Sequence, residues 1–320
     1  MKRKVLITGG LGFVGGRLAQ SLCGRSDVDL ILGSRQKHGP ISWLPNGSVI
    51  AMDWTSEQSL LHACTGVDVL IHLAAMNDSD CLNDPAAALQ VNAVNTARLV
   101  EMAKLAGVQR IIYFSTAHVY APKLVGRIDE TTLTKGRHPY ATSHRAAEDV
   151  VLAANGSIES IVIRLSNGFG APTHPNVNTW MLLVNDLCRQ AVMSKIMVMR
   201  SSGLQKRDFI TLHDVTRVIG HIMDLPKVKL GDGIFNVGNG KSMRVIDMVQ
   251  LIKMRCTEVL GFTPKIVRPE PTVGEKSEHL DYCVEKLLNT GFNLNGNPND
   301  EIDEILYMCQ KSFVVDNYND

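Results

Sequence analysis

Val5-Leu6-Ile7-Thr8-Gly9-Gly10-Leu11-Gly12-Phe13-Val14-Gly15 reads as an apolar strand that runs into three glycines at every third position and then into a helical pattern. Strand, glycine turn and helix in that order predict a dinucleotide site. Gly9 suits a turn closed to any side chain, Gly12 lets backbone amides approach a pyrophosphate, and Gly15 permits close packing of helix on strand. Phe13 and Val14 open the helix, whose N-terminus would face the phosphates.

Downstream of this stretch, strands and helices alternate. Val28 to Leu32, Val49 to Met52, Val67 to Leu73, Arg110 to Ser115 and Ser160 to Arg164 read as short apolar strands. Phe13 to Leu22, Pro85 to Ala106 and Tyr140 to Ala154 carry apolar residues at helical spacing. Buried strands joined by crossover helices imply an α/β fold, a Rossmann-type doubly wound parallel sheet. After Asn167 the regularity breaks at Pro172, Pro175 and Asn176, and later helices near Thr179 to Met193 and Val245 to Met254 alternate with isolated strands. Residues 1–166 therefore read as the nucleotide-binding domain, to which a segment around 208–240 returns, and 167–320 mainly as a smaller substrate-binding α/β lobe. Asn293 to Asp300 reads as a loop, and the last few residues are expected to fray.

Composition narrows the partners. The 320 residues include 33 Lys plus Arg against 32 Asp plus Glu, a formal net charge of +1, so no global field favours nucleic acid or an anionic membrane. Seven cysteines without a close pair argue against a disulfide framework or a metal site and fit a reducing, cytoplasmic setting. Met1-Lys2-Arg3-Lys4 leads into a strand rather than a leader's apolar region, and no apolar run reaches membrane-spanning length.

The end of the second strand selects between nicotinamide cofactors, because an acid there binds a ribose 2'-hydroxyl and repels a 2'-phosphate. Gly33-Ser34-Arg35 offers no carboxylate, a small hydroxyl and a guanidinium able to hold a phosphate in fork geometry. NADP is favoured, with NAD the alternative; Arg35 as a solvated loop cation is the competing reading.

Further motifs in order carry a resemblance over most of the chain: Asp53-Trp54, Asp68 to Ala75, Val91-Asn92-Ala93-Val94-Asn95-Thr96, Phe114 to Tyr120, Tyr140-Ala141-Thr142-Ser143-His144, Arg164 to Gly170 and Gln205 to Ile210. Together they resemble the extended short-chain dehydrogenase/reductase family, the nucleotide-sugar epimerases, dehydratases and reductases. The resemblance implies that Asp53 and Trp54 lie beside the adenine, that Leu73, Ala74 and Ala75 lie against the cofactor, and that Asn92 steadies the central sheet. It also implies that Ser115 and Thr116 end the strand bearing the catalytic hydroxyl, and that Ser166 and Asn167 help cradle the sugar nucleotide. Asn77, His118 and Arg207 complete the candidate substrate contacts. Pairing through the helices Pro85 to Ala106 and Tyr140 to Ala154 implies a homodimer.

Chemistry at a carbinol carbon needs a group that takes or gives the hydroxyl proton, and a Tyr phenol, with an ordinary pKa of about 10, is the candidate at Tyr140. Thr116 can donate to the same oxygen. His144 stands where the family has the Lys that holds the nicotinamide ribose and lowers the Tyr pKa. Four-residue spacing puts Tyr140, His144 and Glu148 on one helix face, so Glu148 could favour the imidazolium and restore the charge. His118 and Ala117 replace the Asp-Glu pair of the dehydratase branch, which disfavours a 4,6-dehydratase. Thr272 stands where the resemblance implies a diphosphate-binding Arg, with Arg268 upstream as a substitute. The expected activity is that of an NAD(P)-dependent nucleotide-sugar epimerase or 4-keto-sugar reductase. A catalytically weak cofactor-binding sensor or scaffold and a non-sugar carbonyl reductase are the alternatives.

Overall fold

A computed structural model describes residues 2–36, 38–39 and 41–314; the expectation for the chain's last residues falls outside these. Seven parallel strands form the central sheet: β1 (Arg3–Thr8), β2 (Val28–Ser34), β3 (Gly47–Ala51), β4 (Val69–His72), β5 (Arg110–Thr116), β6 (Glu159–Leu165) and β7 (Ile234–Val237). Their order is β7-β6-β5-β4-β1-β2-β3. The chain reverses direction of travel across the sheet between β1 and β4, where an open α/β sheet leaves a crevice at its carboxyl edge. Thr8 pairs with His72 there, and with Gly33 on the other side.

Both faces of the sheet are covered, and β1 shows how. Val5 and Ile7 enter one core with Leu18 and Leu22 of helix α1 (Phe13–Cys23), whereas Leu6 enters the other with Leu60, Leu99 and Val151. Strand side chains alternate between faces, so a run without polar residues is what burial on both sides requires. Helices α2 (Glu57–Cys64), α3 (Asn95–Leu105) and α4 (Pro139–Ala153) supply the second cover.

The helix expected over Pro85 to Ala106 is interrupted. Pro85–Ala88 gives one α turn capped by Asp84, Leu89–Val94 is a π segment, and α3 follows. The widened turn buries the polar Asn92 completely, the kind of local departure that often accompanies a site.

Beyond β6, α5 (Leu183–Ser194), α7 (Val245–Leu260) and α8 (Pro298–Phe313) enclose a separate core of Phe169, Leu187, Met197, Phe209, Val249 and Ile305. Between them, α6 (Leu212–Asp224) packs back on the core beside α1, led there by Val215, Val218, Ile219 and Ile222. The expected loop Asn293 to Asp300 contains the start of α8: Asn297 caps it, accepting from the Asn299 amide at 3.1 Å, and Pro298 occupies its first position. Among the described residues no helix is long and apolar enough to cross a membrane.

Candidate active site

The crevice between β1 and β4 is shaped by backbone. Gly9 holds φ +71°, and a Cβ there would lie 2.8 Å from the Ala74 amide nitrogen; one on Gly15 would lie 2.3 Å from the Gly9 carbonyl oxygen. Only glycine fits either place. Gly12 donates to the Gly9 carbonyl at 2.9 Å and opens α1 without any side-chain cap. The amides of Phe13, Val14 and Gly15 therefore lie in the first turn, where intrahelical partners are lacking and an anion is stabilised. A cleft of about 570 Å³ runs from Leu11, Gly12 and Phe13 to Trp43 and Asn176. A cradle that a side chain would fill, facing bare helix amides, fits a dinucleotide pyrophosphate.

The other cofactor candidates sit around this cradle. Leu73 and Ala74 are half-buried and Ala75 is exposed, with the Leu73 amide tied to the Thr8 carbonyl at 3.1 Å. At the end of β2, a Cβ on Gly33 would meet Met52 Sδ at 2.3 Å, so a larger residue there would require the Met52 side chain to move. Arg35 is exposed just beyond it. Asp53 is exposed beyond β3; hydrogen bonds from the Thr55 hydroxyl and amide hold its carboxyl below the usual range. Trp54 lies with its ring 5.8 Å from that of His72.

A buried chain of hydrogen bonds links the cradle to α4. Thr8 Oγ1 lies 2.6 Å from His72 Nδ1, and His72 Nε2 lies 2.9 Å from Thr96 Oγ1, which donates to the Asn92 carbonyl. Asn92 accepts from the Met76 amide and donates to Ser143 Oγ at 3.0 Å, and Ser143 donates to the Tyr140 carbonyl. Asn92 thus braces α4 against the segment after β4.

At the end of β5, Thr116 and Tyr140 come together: the Thr116 hydroxyl, which accepts from the His118 amide at 3.1 Å, lies beside the Tyr140 phenol and tends to lower its pKa. Burial dominates that phenol, with Cys81 and Asp78 adding to it, and its pKa is pushed up to about 12. His144 lies below, its ring 4.5 Å from that of Tyr140 and edge-on to it. Burial drives its pKa down to about 4. This corrects the expectation of an imidazolium favoured by Glu148. Glu148 is fully buried but faces Arg164, whose Nη2 donates to it at 2.8 Å, and it accepts from Ser115 Oγ at 2.5 Å. Its charge is matched by a guanidinium, and His144 stays neutral. Ser115 is likewise turned toward α4 rather than into the crevice.

The substrate candidates divide. His118 keeps an exposed edge, while the protein packed around the rest of its ring and the nearby Arg207 guanidinium lower its pKa. Arg207 is exposed too, and the buried Asp208 beside it accepts from Ser166 Oγ at 2.6 Å and from the Asn239 amide. Asn167 donates to the Asp208 carbonyl. Asn77 is engaged as a helix cap, accepting from the Asp80 amide at 2.9 Å and donating to the Asp80 carboxylate. Its neighbour Asp78, missed in the sequence, faces the site instead: it lies 3.4 Å from His138 Nδ1 and its charge is felt by Tyr140 and His118. Arg268 donates to the Ser202 carbonyl, and Thr272 is held by Glu275.

A family model described as "NAD dependent epimerase/dehydratase family" matches residues 5–238. A dTDP-D-glucose 4,6-dehydratase of Mus musculus is 28% identical over 270 residues, 78% of this chain and 73% of that protein. The structure of a UDP-glucose 4-epimerase of Thermus thermophilus in complex with NAD superposes with a TM-score of 0.79 at 20% identity, covering 97% of this chain and 100% of that one. RMD of Pseudomonas aeruginosa complexed with NADPH gives 0.77 at 20%, covering 97% and 99%.

Proposed function

The chain belongs to the NAD dependent epimerase/dehydratase family, enzymes of the extended short-chain dehydrogenase/reductase type, and from that premise we propose that it is an NADPH-linked reductase of 4-keto nucleotide sugars. The observation that carries this reading is the pairing of Thr116 with a Tyr140 phenol that keeps its proton. NADPH, when bound, supplies the hydride donor.

Every other part of the step falls to the chain. The Gly9–Gly15 cradle and the first amides of α1 hold the pyrophosphate, and Arg35 holds the 2'-phosphate. Thr116 donates to the ketone oxygen and orients it, and the Tyr140 phenol delivers its proton to that oxygen as it becomes an alcohol. A phenol pushed up to about 12 beside a neutral imidazole is fully protonated at neutral pH, and the much more basic alkoxide forming on the sugar carbon can take that proton. Arg207, His118 and Asn167 at the outer edge recognise the diphosphate and sugar. His144 meets the nicotinamide ribose as a neutral partner.

Epimerisation is the second reading. It rests on the same Thr116–Tyr140 pair working in both directions, with the Asp78–His138 contact close by. Stoichiometric loss of NADPH absorbance with a 4-keto nucleotide sugar supports the reductase. Interconversion of two sugars by protein that retains its cofactor through purification overturns it in favour of the epimerase. Subunit pairing through the helices at 85–105 and α4 would cover Leu89 and Val94, 46% and 41% exposed. Sedimentation equilibrium tests it, and a monomer at micromolar concentration would reject it.

A further inference from the structure

Tyr113 lies on β5 one turn of the pleat before Ser115, and its side chain enters the space beneath Tyr140. It is 1% exposed, and its hydroxyl lies 2.7 Å from His144 Nδ1. His144 is itself 3% exposed, and its other nitrogen, Nε2, is buried without a hydrogen-bond partner. Two tautomers are available to the pair. If Nδ1 carried the proton and donated to the phenol oxygen, the Tyr113 hydroxyl hydrogen would have no acceptor, a buried donor left unmade. If Tyr113 donates to Nδ1, that hydrogen is satisfied and the imidazole proton sits on Nε2. Each arrangement leaves one donor unmade: in the first it is the Tyr113 hydroxyl, enclosed with no other acceptor, and in the second it is Nε2–H, which an incoming cofactor ribose could accept from. Burial also drives the Tyr113 pKa well above its ordinary value, so the phenol keeps the hydrogen it donates. Glu148, the carboxylate one turn along α4, is held by Arg164 and Ser115 and does not compete for the ring. The Phe114 carbonyl lies near the ring and opposes the effect of burial on it, but completes no hydrogen bond to either nitrogen.

We propose that Tyr113 is a positioning residue for the nicotinamide site: by donating to Nδ1 it fixes His144 as the Nε2–H tautomer, a neutral hydrogen-bond donor for the cofactor ribose. The second nitrogen of an imidazole commonly sets what the first can do. On this account the chain replaces a flexible ammonium by a two-residue unit, Tyr113 with His144. Part of the unit is on the strand and part on the helix, and neither side chain does the task alone.

The inference rests on the cofactor reading above, but its test does not need a sugar. Protein labelled with 15N-histidine is examined by NMR without cofactor and with NADP added, the His144 signals being assigned by their loss in His144→Gln. The expected result is a pyridine-like Nδ1 and a pyrrole-like Nε2, unchanged between about pH 6 and 9, with Nε2 moving when NADP is added. Tyr113→Phe, which removes a single oxygen, should let the two nitrogens share the proton and weaken NADP by roughly tenfold in a fluorescence titration. A pyrrole-like Nδ1 in the parent overturns the proposal, whether or not the variant folds. So does a Tyr113→Phe spectrum whose His144 signals match the parent's. A protein with the expected tautomer that reduces no 4-keto sugar would retire the reductase reading and leave this assignment standing.

Discussion

Where β1 meets β4 the crevice is made by backbone; where β5 meets α4 it is made by buried side chains. At the first end, Gly9 and Gly15 leave room that any Cβ would fill, and the amides of α1 point into it. At the second, Tyr113 and Ser115 project from one face of β5 and meet His144 and Glu148, one helical turn apart on α4. Strand period two thus meshes with helix period four. A backbone site is specified by what a residue lacks, and each glycine acts alone. A side-chain site is specified by pairs, and a change on one element alters the meaning of a residue on the other.

The pairs are also where a single change should cost most. Glu148→Gln leaves the Arg164 guanidinium, 4% exposed, facing an amide. Removing one partner of a buried ion pair costs about 3–5 kcal/mol, so urea unfolding should show a loss of that order. A loss below about 1 kcal/mol would place the pair among surface-like contacts and erase the contrast between the two ends.

Gly15→Ala attacks the other end. Forcing a methyl against the Gly9 carbonyl should strain the loop by about 1–3 kcal/mol and weaken cofactor binding by roughly tenfold to a hundredfold. The helix pairs should be untouched, so Tyr113 and His144 should keep their NMR signatures. Unaltered affinity in a fluorescence titration would mean that the cradle is not the phosphate site.

Acid sharpens the comparison from a different side, since both ends contain a buried histidine. Folding lowers the pKa of His144 to about 4 and of His72 to about 3, from an ordinary value of 6.5. Between the ordinary and the folded values the unfolded chain holds the extra protons. Stability therefore rises with pH through that window and is lost as the protein is acidified, by about 1.4 kcal/mol per unit for each histidine. His144→Gln should remove one share of that slope. An unchanged slope would mean that His144 titrates normally in the fold.

The smallest effect belongs to the exposed Arg35. Arg35→Ala should weaken NADPH by roughly tenfold and leave NADH nearly unchanged, as expected for one charge-assisted contact to the 2'-phosphate. Equal losses for both cofactors would contradict the phosphate role.

Much of the fold was legible because its causes are local. The strand Val5–Ile7 needs apolar residues on both faces, and Gly9 and Gly15 have no substitute, so identity reveals position. What the sequence concealed depends on partners far along the chain. The four residues of β7 and the helix opening at Pro298 are too short or too polar at their start to stand out, and the π segment around Asn92 keeps a helical apolar pattern. Tyr113 reads as one more core aromatic until His144 is seen to face it. The alternation of Tyr113 and Ser115 against the spacing of His144 and Glu148 was the available signal. Glu148 was placed on the correct helix face, yet its partner, Arg164, comes from β6. Asn77 and Asp78 differ by one position, and only the cap geometry shows that Asn77 is tied up by Asp80 while the Asp78 carboxylate is left for His138.

The most direct test of the account follows one atom. Single-turnover reactions of NADPH carrying deuterium at the transferred position with a panel of 4-keto nucleotide sugars, for the parent and Tyr140→Phe, should place deuterium on the sugar carbinol carbon with one stereochemistry. Tyr140→Phe should slow that transfer by about 10²–10⁴-fold while binding NADPH as tightly as the parent. Deuterium that never leaves the cofactor, or that leaves it equally fast in Tyr140→Phe, would contradict the claim that this pocket reduces a ketone with Tyr140 as its acid.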